Sequence, residues 1–123
     1  MAYTITRTNG LNPITIPDGQ INSTTSVTLV GKNSTGYGVF LNDNFVHLLE
    51  NFASATPPDN PIEGQLWFNS TTKELLVNDG SSSALSSWKP AGALNKGNSL
   101  PSSANVGDLF VNTTLHQLYL WTG

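Results

Sequence analysis

A seventeen-residue motif occurs twice without a gap, 43 residues apart, and limits what this chain can fold into. Gly64-Gln65-Leu66-Trp67-Phe68-Asn69-Ser70-Thr71-Thr72-Lys73-Glu74-Leu75-Leu76-Val77-Asn78-Asp79-Gly80 returns as Gly107-Asp108-Leu109-Phe110-Val111-Asn112-Thr113-Thr114-Leu115-His116-Gln117-Leu118-Tyr119-Leu120-Trp121-Thr122-Gly123. Both terminal glycines, both leucines, the asparagine and the first central threonine are identical, and Pro58 and Pro101 precede the two copies at the same offset. Self-similarity at a fixed period indicates modules that stack or string out, because one such unit cannot easily bury its faces alone. The pattern favours an extended structural protein over an enzyme built around one pocket.

Within each copy two apolar runs flank a polar tetrad, Ser70 to Lys73 or Thr113 to His116. That is the pattern of a β-hairpin with a four-to-five-residue loop. Leu66-Trp67-Phe68 and Leu75-Leu76-Val77 are apolar at consecutive positions, so both faces of the ribbon need cover that an isolated hairpin cannot supply. Trp88, in the serine-rich stretch that follows, is expected to pack back on its own hairpin. The counterpart of that tail falls beyond Gly123, so the chain is expected to be the N-terminal part of something longer.

Upstream, Ile14 to Ile16 reads as a short edge strand between prolines, and Ser26 to Val30 as a clearer strand ended by Gly31. Gly36-Tyr37-Gly38 reads as a bend. Phe45, Leu48, Leu49 and Phe52 then stand at i, i+3, i+4 and i+7, which predicts a helix over about 42–53 with Asn42 or Asp43 as its cap. Three turns are marginal in isolation, so the helix must dock on the strands or on the same helix of neighbouring subunits. The organisation expected is an N-terminal region 1–54, a proline-rich linker 55–63, a first hairpin with its Trp tail 64–92, a second linker 93–106 and a second hairpin 107–123.

Composition excludes several classes. Charged residues are 11% of the chain, against about 25% in typical soluble proteins. A net charge of −3 with five scattered Lys and Arg gives no basis for gripping phosphate backbones, so no nucleic-acid partner is expected. Cysteine is absent, and no apolar run reaches signal-peptide or membrane-span length, so neither a cleaved signal nor membrane insertion is expected. His47 and Glu50 lie one helical turn apart, but a metal needs a third and usually a fourth ligand, and His116 is remote in sequence. No Gly-x-Ser-x-Gly elbow or Ser-His-Asp arrangement stands out. Asp59, Glu63, Glu74 and Asp79 read as turn-forming and solvating carboxylates, since the second copy carries Asn105, Val106, Gln117 and Thr122 near the corresponding positions. The expectation is therefore no enzyme, no metal and no cofactor. The aromatic residues Trp67, Trp88, Phe110, Tyr119 and Trp121 suit a core or subunit interface; Trp67 and Trp121 are also the candidates for stacking on a sugar ring.

The Val27-to-Asn33 strand end, the Gly-Tyr-Gly bend, the Leu41-to-Phe52 helix, Pro57-Pro58 and the Gly-Gln-Leu-Trp-Phe-Asn repeat together resemble virion structural proteins of tailed phages. The likeness covers residues 11–123 and is greatest to tail-fibre-like proteins of contractile-tailed phages, cyanophages in particular. It implies a mostly β protein with one short α-helix, its hairpin modules repeated in an extended, intertwined homotrimeric fibre. The implied function is the proximal or attachment segment of a tail fibre, joined to other tail, baseplate or neck proteins. Such a protein is made in the host cytoplasm and resides in the virion. The residues then expected to form the core or the oligomer interface are Phe45, Leu48, Leu49, Phe52, Leu66, Trp67, Phe68, Leu75 and Val77, with Leu109, Phe110, Val111, Leu118 and Leu120 in the second copy. The alternatives are a neck or baseplate connector, and a carbohydrate-binding module that meets host surface glycan through Trp67 and Trp121.

Overall fold

Apolar runs this short, broken every few residues by Pro, Gly and Asn, make short strands. In the computed structural model, which describes residues 1–92, 94–102 and 104–123, they form several small β-sheets accompanied by one short helix. Tyr3–Ile5 (β1) pairs antiparallel with Ile14–Ile16 (β2), Ile5 opposite Ile14. Prolines flank β2, which has one ladder partner, as an edge strand should.

Ile21–Asn22 (β3) and Leu29–Val30 (β4) make a second antiparallel pair. The strand expected over 26–30 is shorter because a side chain takes the place of a ladder at Thr28. The Thr28 N–H donates to Asn44 Oδ1 at 2.9 Å, and the Asn44 amide donates to the Thr28 carbonyl at 2.7 Å. Gly31 follows β4 and is buried, its N–H donating to the Gln20 carbonyl at 2.8 Å. A Cβ there would collide with the Pro17 carbonyl oxygen and stand 2.8 Å from that of Gln20.

The helix (α1) spans Tyr37–Leu49, about one turn earlier than the apolar stripe predicts. Gly36 adopts φ 69° at its N-cap with no side-chain cap, so Gly36-Tyr37-Gly38 starts the helix instead of bending away, and Asn42 and Asp43 lie inside it. Asn51 and Phe52, at φ 50° and 53°, turn the chain out of the helix, and the Phe52 N–H caps the His47 carbonyl at 2.8 Å. Phe52 therefore lies beyond α1.

Leu66–Asn69 (β5) and Glu74–Asn78 (β6) form a hairpin in the register Leu66↔Val77 to Asn69↔Glu74, leaving Ser70 to Lys73 as a four-residue loop. After a 3-10 turn at Leu85–Ser87, Trp88–Pro90 (β7) adds antiparallel to β6. Leu94–Gly97 (β8) runs parallel to Leu109–Asn112 (β9), which pairs antiparallel with Gln117–Leu120 (β10). β8 thus occupies part of the segment 93–106 expected as a plain linker; Ala93 and Ser103 in that segment lie outside the described residues.

Hydrogen bonds recur at the 43-residue offset. Gly64 N–H donates to the Asn78 carbonyl at 2.9 Å, and Gly107 N–H to that of Trp121 at 2.8 Å. Ser70 N–H donates to the Ser54 carbonyl at 3.0 Å, and Thr113 N–H to that of Gly97 at 2.8 Å. Each hairpin is therefore clasped by a parallel segment, at Ser54 beside Asn69 and at Gly97 beside Asn112. Among the described residues the buried large apolar side chains are Ile16, Trp67, Trp88 and Phe110, and no helix is long and apolar enough to cross a membrane.

Candidate assembly surface

Successive strand residues point to opposite faces, so register assigns the hairpin side chains. Trp67, Leu76, Asn78, Trp88 and Pro90 share one face of β5–β6–β7, while Leu66, Phe68, Leu75 and Val77 share the other. The first face is closed within the chain. Trp67 is 0% exposed and its indole N–H donates to the Ser54 carbonyl at 3.2 Å. Trp88 meets it edge-to-face, with centroids 5.4 Å apart and planes at 68°. As the sequence suggests, Trp88 packs back on its own hairpin. The expectation that Trp67 meets a glycan is corrected here: the side chain is fully buried, with the Trp88 indole against it.

The opposite face stays open. Leu66 and Leu75 are each 39% exposed, and Phe68 and Val77 are half-buried. In the second hairpin, Leu109, Val111, Leu118 and Leu120 share the corresponding face; Leu118 and Leu120 are exposed, while Phe110 is buried on the reverse with Tyr119 half-buried beside it. Trp121 is exposed at the end of β10. In α1 no residue is buried: Phe45, Leu48 and Leu49 all face solvent, Leu49 at 83%. Phe52, half-buried just past the helix, has His47 beside it at 6.1 Å between ring centroids.

The open surfaces of the helix and first hairpin meet at a groove of about 480 Å³. Leu48, Phe52 and Leu66 line it, three residues that the periodicity of the sequence singles out. Phe45, Leu49, Phe68, Leu75 and Val77 do not line it. Ile5, Ile14, Val27, Leu29 and Ile62 do, and the sequence reading did not place them at a site; its local signals are the alternations Ile14-Thr15-Ile16 and Val27-Thr28-Leu29, each of which puts its two apolar residues on one face of an extended segment.

The lining also carries polar residues, among them Gln65, Arg7 and Glu63. Gln65 Oε1 accepts from the Ile62 N–H at 3.1 Å and the Ser26 hydroxyl at 3.3 Å, which orients the amide, while its Nε2 is buried without a partner. Arg7 Nε is likewise buried and unpartnered. Unsatisfied buried donors are costly, and these two sit in a wall that also carries Glu63.

At the far end of the first hairpin, Asp79 Oδ1 accepts from the hydroxyl of Ser81 at 2.6 Å and from its N–H at 2.9 Å. These bonds hold the Asp79 carboxyl below its ordinary value. Ser81 and Ser82 both reach the fully buried Ser87 hydroxyl, at 3.1 and 2.6 Å. The serines are thus tied to one another and to Asp79 in the turn ahead of β7, with Ser87 alone buried among them. Among the described residues no three His, Asp or Glu side chains gather as a metal site. In comparisons with known protein families, curated proteins and solved structures, nothing matches this chain.

Proposed function

We propose that this chain is a virion structural protein of a tailed phage, the proximal or attachment segment of a trimeric tail fibre that links the virion to more distal host-recognition parts. The reading starts from the resemblance carried by residues 11–123. One observation supports it above the others: α1 has no buried residue and each hairpin leaves leucines exposed on one apolar face, while the large apolar side chains buried among the described residues are four. Contiguous apolar patches beyond a few hundred Å² mark association surfaces.

In this arrangement three copies close around an axis, the Leu66, Phe68, Leu75 and Val77 face and its Leu109, Val111, Leu118 and Leu120 counterpart turned toward neighbouring subunits. The Phe45, Leu48 and Leu49 ridge of one copy seats at the groove of the next. Such a contact is heterologous, and a three-fold rotation closes it. The role is mechanical: permanent apolar interfaces hold shape and transmit load, with no chemical step and no cofactor.

Light scattering coupled to size exclusion tests the reading. The expected mass is three times the 13.1 kDa of one chain. A well-folded monomer sinks the trimer. Proteomic analysis of purified virions from the encoding phage tests location, and absence of the chain from intact particles sinks the virion role.

A further inference from the structure

The two hairpins differ at one edge. In the first, β7 lies along β6 with Val77 opposite Lys89 and Asn78 opposite Trp88. The Ala91 N–H donates to the Leu75 carbonyl and the Asp79 N–H to the Ser87 carbonyl, both at 2.9 Å. That strand sets the Trp88 indole against Trp67. In the second hairpin, β10 occupies the position of β6 at the 43-residue offset, yet β9 is its only strand partner among the described residues. The outer edge of β10 therefore presents unpaired backbone groups.

Beside that edge lies a cleft of about 530 Å³. Phe110, Tyr119 and Trp121 line it, the counterparts of Trp67, Leu76 and Asn78, and Lys89 and Pro90 of the first module also border it. Trp121 is 39% exposed there. An open strand edge and an aromatic-lined cleft thus occur together, at the place where the first hairpin holds a strand and an indole.

We propose that the outer edge of β10 is an acceptor site for an extended peptide strand carrying an indole, laid antiparallel in the register that Trp88 has on β6, with the indole entering the cleft beside Phe110. Backbone pairing supplies affinity and the aromatic pocket supplies selectivity, as in other β-strand additions. The residue two positions after the indole is free to be proline. The bonds that flank β7 are made by Ser87 and Ala91, in phase with Lys89 opposite Val77, so Pro90 turns its nitrogen away from β6 and blocks further strands on the outside.

The test titrates the full chain with a synthetic peptide of its own residues 81–92 and follows backbone amides by NMR. Saturable shifts at Leu120 and Thr122, the counterparts of Val77 and Asp79, with ring shifts at Phe110 and Trp121, support the site. A Trp88→Ala version of the peptide is then expected to bind about tenfold more weakly. In a second preparation the same residues follow Gly123 directly, which raises their local concentration to roughly the millimolar range; slowed exchange of the Leu120 and Thr122 amides is expected. Unchanged exchange in that joined chain overturns the proposal. So does a peptide that displaces β7 and perturbs Val77 and Asp79 instead. Dilution-dependent shifts of β10 without peptide would assign the edge to a second copy, and a glycan that moves Phe110 and Trp121 where the peptide does not would assign the cleft to sugar. Light scattering with and without peptide reads the trimer separately, so either proposal can fail alone.

Discussion

Gly31 shows how little tolerance a small sheet has at its crossing points. Its N–H bonds Gln20 while the Pro17 carbonyl occupies the space a Cβ would need, so Gly31→Ala is expected to cost about 1–3 kcal/mol, as overpacking does, read from urea denaturation midpoints. Asn69 and Asn112 do similar work at two loops. Asn69 Oδ1 accepts from the Thr71 and Thr72 N–H groups at 2.9 and 3.1 Å, and Asn112 Oδ1 from Thr114 and Leu115 at 3.0 and 2.8 Å. Asn69→Ala leaves two loop donors to solvent and is expected to lower stability by about 1 kcal/mol in the same assay. Asp79 sets a pH dependence. Its carboxyl is lowered first by the Ser81 hydroxyl and then by the Ser81 N–H, so its contribution is complete above the ordinary value of 3.8 and is lost as pH falls from there through the lower folded value. Chemical denaturation from pH 7 to pH 2.5 should show a steeper acid decline for the parent chain than for Asp79→Asn; equal declines remove Asp79 from the account.

The hairpins are the elements most legible in the sequence, because strand alternation, loop polarity and glycine placement are local signals. The expected loop at Ser70 to Lys73 is the observed one, closed by Lys73 at φ 61°, with His116 at φ 54° in the second copy. The helix was legible in its stripe and misplaced in its ends. Phe45, Leu48 and Leu49 lie on α1, whereas Phe52 falls beyond it, because paired left-handed residues at Asn51 and Phe52 stop a helix that periodicity alone would extend. The parallel segments at Ser54 and at Leu94–Gly97 left no trace in local pattern, since their partners lie 15 residues further along the chain. Nor did β1, which gains its partner across a turn. The groove was half legible for the same reason: its helix and hairpin walls follow from periodicity, its β1–β2 wall from pairing. Asn44 ties α1 to the segment leading into β4 by holding both backbone groups of Thr28. Asn44→Ala is expected to cost about 1–2 kcal/mol and to speed amide exchange through α1 while β5 and β6 keep their protection. Uniform loss across all elements would show a tie with no local role.

For the molecule as a whole, the open apolar surface matters more than any single element. Leu48 lines the groove and stands on the exposed helix ridge, so Leu48→Asp places a charge where a neighbouring subunit is proposed to sit. The expected result is a fall from trimer to monomer mass with the hairpin signature in circular dichroism retained; an unchanged mass and melting temperature refute the assignment. The matched hydrogen bonds at Gly64 and Gly107, and at Ser54 and Gly97, carry a different consequence. Any crossover between equivalent positions in two copies of the coding sequence adds or removes 43 residues and leaves each surviving hairpin with its clasp and its register. Joining Ala53 to Gly97, for example, keeps a parallel clasp beside Asn112. A lineage carrying this chain can therefore lengthen or shorten it by whole units in one genetic event, without passing through a misfolded intermediate length.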